Sequence, residues 1–332
     1  MSEKHPSGNL ARYVVDALRQ KLPHNDLAKV VQEALGITIS AAYKRLRGQT
    51  AFSADELAVL AGLYGVSLDA ITHQGKGMAP MSFPAAVQPL ASPVDFLQRV
   101  ETSLKAALKL PKVRLCYAST EIPFFQYMRY PELCAFKLYM WNKTTWELPA
   151  FSQPTFSPKL FLQDPAMEPC RRSILQLYAQ LPSQEFWPVH ILDNTLNQLR
   201  YAIYEGNLPD KDMAQLLRGQ IADMVDELER MAQLGYKDIP GCRNISPASF
   251  ELYENEIMHT SNIFFVLSPV AKQVFYTYDN PNFLTTNHPD FCDYTERWFE
   301  KIRRRSQRMS VDGGKHRKVF FEELRRRVGK IN

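Results

Sequence analysis

Apolar residues recur at three- and four-residue steps from the start of the chain, at Leu10, Val14, Val15, Leu18 and Leu22. That spacing places them on one face of an amphipathic helix, which Pro23 ends. Asn25 is placed to cap a second helix, with Leu27, Val30, Val31 and Leu35 inward and Gly36 as its stop. Ser40 would cap a short third helix carrying Ala42, Tyr43 and Leu46, closed by Gly48. In "FSADELAVLAGLYG", Ser53 and Glu56 form the pattern of a capping box ahead of an apolar run. "SLDAI", opened by Ser67, supplies a fifth short helix. Helices this closely spaced predict a self-sufficient bundle.

The pattern then breaks. "GKGMAPMSFPAAVQPLASP", from Gly75 to Pro93, has four prolines, two glycines and no period, and reads as a linker. Beyond it, residues 94–110 are helical in pattern and "KVRLCYAST" alternates like a strand. Twelve aromatics and five prolines fall between Tyr117 and Phe161, which predicts short elements and ordered loops. Helical periods return over residues 165–181, 188–205 and 210–234. The last carries a stripe of Met213, Leu217, Met224, Leu228 and Met231. Three strand-like runs follow, "FELYENEIM", "NIFFVLSP" and "KQVFYTYDN". The short "HTS" join and Ser268-Pro269 between them predict an antiparallel meander. Helices over residues 289–308 and 315–328 close the chain. The reading is mainly α: a five-helix bundle at 1–74, a linker at 75–93, and an α+β domain at 94–332 with a small antiparallel sheet.

Composition narrows the classes. No apolar run approaches the roughly 18 residues of a membrane span, and "MSEKHPSGNL" lacks the apolar stretch of a secretory signal. A cytoplasmic protein is expected. Cys116, Cys134, Cys170, Cys242 and Cys292 show no paired spacing, so buried free thiols are expected rather than disulfides or a zinc site. Charge is uneven: net +1 over residues 1–75, −5 over 76–300 and +9 over 301–332. The basic tail is amphipathic, with Ile302, Val319, Phe320, Phe321, Leu324 and Val328 inward. Its outward cations suit water, a DNA backbone or the acidic middle region.

The third helix concentrates the other cations, Lys44, Arg45 and Arg47, inside four positions. A short helix after a Gly turn, basic outside and apolar inside, is what a helix-turn-helix lays in the major groove. Here Gly36 sits at the turn, and Ile37 and Ile39 are placed to plug the core. The stretch "DLAKVVQEALGITISAAYKRLRGQTAFSADELAVLAGLYGVSLDAI" resembles the Cro/C1-type (XRE-like) helix-turn-helix domain of bacterial transcription regulators, over roughly residues 9–72. "LGI" matches the turn and "SAAYKRLRG" the recognition helix, while the second helix runs a few residues longer than usual there. The resemblance implies double-stranded DNA as partner, with Thr38, Ser40, Ala41 and Lys44 toward base edges. Arg45, Arg47, Gln49 and Thr50 would then face phosphates, and Tyr43 is read as core, with a phosphate donor as the alternative.

Other chemistry is thin. Glu256 and His259, and His190 and Asp193, sit three apart without forming HExxH. No GxGxxG, GxxxxGK[ST] or GxSxG occurs, and "SVDGGKHR" lacks the strand of a P-loop. No metal, no cofactor and no enzymatic activity are expected. The aromatic belt suits either core packing or a pocket for a small-molecule or peptide effector, with Tyr127, Tyr139, Trp141 and Trp146 as candidate ligand-binding residues. The methionine stripe is the candidate seam of a homodimer. The functional expectation is a sequence-specific DNA-binding transcription regulator with a sensing or oligomerisation domain. The alternative is a signalling adaptor whose bundle binds protein.

Overall fold

Caps and helical period organise the first residues of the chain into a bundle. The computed structural model describes residues 7–22, 26–66, 68, 77–242, 245–256 and 262–331. Two compact units divide the chain, Met1–Pro80 and Met81–Asn332. In the first unit, α1 (Ser7–Lys21), α2 (Leu27–Leu35), α3 (Ile39–Leu46) and α4 (Ala54–Tyr64) bury one core. Val14, Leu18, Val31, Ala42 and Leu60 are fully enclosed there. The caps differ in part from the sequence reading. Asp26 accepts from the Ala28 N–H at the start of α2, and Thr38, not Ser40, accepts from Ala41 at the start of α3. Ser53 and Glu56 form the expected capping box. Pro23, Asn25 and Ser67, with most of "SLDAI", lie outside the described residues.

The second unit overturns the expectation of a small antiparallel sheet. Seven strands form one mixed sheet in the order β6-β5-β4-β1-β2-β3-β7. They are β1 (Arg114–Ala118), β2 (Ser183–Trp187), β3 (Phe250–Glu254), β4 (Ile263–Leu267), β5 (Lys272–Asp279), β6 (Asn282–Thr286) and β7 (Gln307–Arg308). β1, β2 and β3 run parallel, so each must be joined to the next by a long crossover, and helices occupy both crossovers. β4, β5 and β6 form an antiparallel meander on the outer flank of β1, not the one expected from "FELYENEIM", "NIFFVLSP" and "KQVFYTYDN": the first of those runs is β3, which lies apart, across β1 and β2.

Alternation along the strands sends side chains to two cores. Leu115, Tyr117, Phe250 and Leu252 face the large helical layer. Cys116, Ala118, Phe186 and Phe265 face Cys292, Phe299 and Ile302 of the helix Pro289–Arg304. The helix Lys211–Leu234 packs against β3 and the closing helix Gly314–Gly329. Leu217, Ile221, Met224, Val225, Leu228 and Met231 on it are fully buried, so the proposed dimer seam is intramolecular core. The basic tail follows suit. Arg325 pairs with Asp226 and Glu229 of that helix, and Arg327 pairs with Asp193.

The second half of the proline-rich stretch packs on this same unit. Ser82 bridges Thr285, and the Arg99 guanidinium donates to the carbonyls of Gln88 and Pro89 at 2.7 and 3.1 Å. Among the described residues no helix is long and apolar enough to cross a membrane.

Candidate functional site

The turn between α2 and α3 begins at Gly36, with φ 63° and ψ 29°. That left-handed conformation is strained for any residue with a Cβ, so glycine lets α2 stop and the chain reverse there. Two residues on, Thr38 is extended and caps α3, which fixes where the short helix begins. Ala42 is fully buried and Leu46, one turn later, packs against the same core. The helical period then turns Ser40, Tyr43, Lys44 and Arg47 outward, and all four are exposed, as is Ile39 at the first position of the helix.

Every candidate DNA residue can be placed on this surface. Thr38, Ser40, Lys44, Arg47, Gln49 and Thr50 are exposed, and Ala41 is half-buried. Gln49 and Thr50 follow the left-handed Gly48, their N–H groups returning to the Lys44 carbonyl at 2.8 and 3.3 Å. Arg45 is different. Its Nε and Nη2 donate to the two oxygens of Glu56 at 3.0 and 2.8 Å, a planar fork that ties α3 to α4. Glu56 thus serves the fork and the capping box together, accepting also from the Ser53 N–H at 2.9 Å.

Two surface residues escaped the sequence reading. Tyr43, expected in the core, is 43% exposed, and the Arg47 guanidinium lies 5.7 Å from its ring centroid. Ile39, expected to plug the core, is 37% exposed, whereas Ile37 packs inward. Helical period sets Tyr43 on the flank shared with Ser40 and Arg47, whereas Ile39, three residues before Ala42, falls on the inner stripe by period and is exposed at the first position of the helix. A flat tyrosine under a guanidinium preorganises that cation, and an exposed isoleucine suits a thymine methyl.

The fork makes a stability prediction. Glu56→Ala should destabilise the first unit by about 1–3 kcal/mol, because a cap and a charge-assisted pair go together. Hydrogen bonding from Arg45 holds the Glu56 carboxyl below its ordinary value. Its contribution is therefore complete above pH ~4.3 and fades as pH falls toward the lowered value. Thermal melts of wild type and Glu56→Ala between pH 7 and 3 should converge at the acid end (about the pH range where carboxylates protonate).

In the second unit the aromatic belt divides. Tyr127 and Trp141 line a cleft of about 730 Å³ between the helix Pro93–Leu108 and the sheet. Trp146 packs on Phe96 and Trp141 at 5.3 and 5.8 Å without entering the lining. Tyr139 lies elsewhere, donating to the Pro154 carbonyl at 2.9 Å and packing on Phe136 and Phe156. Among the residues lining the cleft, the Lys137 ammonium, fully buried, pairs with Glu121 and donates to Gln198 at 2.7 Å. Asn280 donates to the second Glu121 oxygen at 2.9 Å. Sequence reasoning missed this pair because Lys137 sits in "CAFKLYMW", where a lone cation offers no spacing signal.

The discounted chemistry is also placed. Asp193 is engaged by Arg327, Glu256 accepts from the Val189 N–H, and His259 lies outside the described residues. Among the described residues no cluster of His, Cys, Asp or Glu is arranged to hold a metal ion. Four cysteines are buried and Cys242 is half-buried, all as free thiols. Burial pushes the Cys116, Cys134 and Cys170 thiols up to about 12, which keeps them protonated and unreactive.

No curated protein and no solved structure matches this chain. A family model does match, and its span runs from the bundle into the first long helix of the second unit. Residues 10–108 match the BetR domain, a helix-turn-helix family of DNA-binding domains, a match that supports a DNA-binding regulator.

Proposed function

We propose that the protein is a sequence-specific transcription regulator that acts as a homodimer and answers to a ligand held in its second unit. One observation carries the reading. The capped helix α3 presents Ser40, Lys44 and Arg47 on a single exposed face while Ala42 locks its opposite face into the bundle. A helix so short and so anchored projects side chains at fixed positions, as groove reading requires. Thr38, Ser40, Ala41 and Lys44 face the bases, and Arg47, Gln49 and Thr50 face the backbone. Arg45 divides itself, two of its donors holding α4 and the remainder turned toward a phosphate.

Specificity at useful strength takes two half-sites about one helical turn apart, which is the physical reason for a dimer. The second unit carries the ligand-binding and dimer-forming roles in this reading, and no catalytic one. A ligand shifts DNA affinity only by binding two arrangements of the protein unequally. The helix Pro93–Leu108 suits that coupling, because it lines the cleft and closes the segment that matches the DNA-binding family.

Exposed Ile39 and Tyr43 favour one competing reading, a bundle that binds protein through α3. Two substitutions separate the readings. Arg47→Ala should weaken binding to all duplexes and reduce the salt slope by about one unit, the signature of one lost phosphate contact. Lys44→Ala should relax preference at one base position, costing about 1–3 kcal/mol on the preferred site. Selection of bound sequences from random duplex DNA, followed by titration of both variants, measures this. If wild type enriches no sequence, the regulator reading is wrong.

A further inference from the structure

The meander half of the sheet is covered on one face only. The helix Pro289–Arg304 packs behind β5, whereas Phe264 and Val266 of β4, Phe275 of β5 and Phe283 of β6 line the cleft in front. Phe96 and Val100 of the helix Pro93–Leu108 form the opposite wall. These six side chains are all half-buried, so the sheet and the helix stand apart with apolar surface between them. The cleft's volume lies in the range of small-molecule sites, about 300–1,000 Å³, and its walls match the apolar character of such sites.

Every charged group that lines the cleft already has hydrogen-bond partners within the protein. The Asp95 carboxylate accepts from the Ala91 and Ser92 N–H groups at 2.8 and 2.9 Å. Arg99 is held by the carbonyls of Gln88 and Pro89. Glu121 is shared between Lys137 and Asn280. A charged ligand group would have to draw Arg99 or Asp95 from its backbone partners, and the walls are otherwise mostly apolar, so little returns its desolvation cost.

We infer that the cleft binds a neutral amphipathic small molecule, with an apolar body along the phenylalanines and an uncharged head among the polar lining residues. The claim names the ligand class for the sensing role proposed above. It rests on that reading only for the effect on DNA, and the binding experiment stands without it.

The test uses the full chain and the uncharged dye Nile red. Displacement is compared for decanol, decanoate and decyltrimethylammonium, which share a chain and differ in head charge. The dye should brighten on binding, and decanol should displace it at about tenfold lower concentration than either ion, the cost of an unpaired charge in a partly desolvated site. Ser103→Trp, an exposed position that lines the cleft, should abolish the signal. Ala106→Trp, exposed on the same helix and outside the lining, should retain it. Equal displacement by an ion overturns the neutral assignment. Dye binding that survives Ser103→Trp, or no dye binding by wild type, overturns the cleft as the site. Duplex affinity measured with and without decanol reports separately on the regulatory reading.

Discussion

Replacing Lys137 by Met should cost the second unit about 3–5 kcal/mol, since removing one partner of a buried pair leaves an uncompensated charge. Met matches the length and volume of the lysine stem, so the loss would be electrostatic rather than a cavity. Lys137 is fully buried, and Glu121 is only 6% exposed. Glu121 would keep the Asn280 amide as its one side-chain donor, too little for a carboxylate inside protein. Adding Glu121→Gln to Lys137→Met should restore at least half of the loss, because the charge is gone while the amide still accepts from Asn280. Urea denaturation of the three variants measures this. If Lys137→Met unfolds at the wild-type midpoint, the pair is not the buried anchor described here.

A second large effect is expected in the long helix. Leu228→Glu should destabilise the second unit by more than about 4 kcal/mol, because a carboxylate would enter a core with no donor to meet it. Leu228 is fully buried in the helix Lys211–Leu234, while Leu216 on the same helix is 42% exposed. Leu216→Glu should therefore change stability by no more than about 0.5 kcal/mol. Calorimetry of the two variants contrasts the faces. If Leu228→Glu remains fully folded and changes only the sedimentation coefficient, the helix is a seam after all.

That helix shows what a sequence pattern can and cannot say. Its period of 3.6 is legible, and the helix lies where the stripe placed it. The stripe alone does not say which surface covers it. The cover is the closing helix Gly314–Gly329, whose outward Arg325 finds Asp226 and Glu229 on the long helix. The bundle was legible for a related reason. Gly36, Gly48 and Gly65 all adopt left-handed backbone at helix ends, and the capping box is local chemistry that needs no tertiary partner.

The central strand β2 was not legible. "SQEFW" is five residues long, fully buried, and polar at three of them, so neither alternation nor an apolar run marks it. Tertiary contacts make the burial tolerable. Glu185 accepts from the Tyr178 and Ser183 hydroxyls at 2.7 and 2.9 Å, and burial pushes its carboxyl up. Without β2, three separate runs read as one small meander, and the parallel half of the sheet disappears from view. The candidate ligand residues divide between places the sequence does not distinguish: Tyr127, ending the short helix Phe124–Tyr127, and Trp141, ending the helix Pro131–Trp141, line the cleft, whereas Tyr139 and Trp146 do not. The phenylalanines of β4, β5 and β6, distant in sequence, complete the walls.

Whether α3 reads DNA is decided by how duplex binding depends on ionic strength. Fluorescence anisotropy of a labelled duplex drawn from the selection, titrated with the full chain from low to physiological salt, yields the slope of log affinity against log salt. With several phosphates neutralised by Arg47 and its neighbours, the slope should be steeply negative, about −0.9 for each contact, and Arg47→Ala should make it shallower by about one contact. A flat slope, or an affinity that Arg47→Ala leaves unchanged, would contradict α3 as a DNA-reading helix.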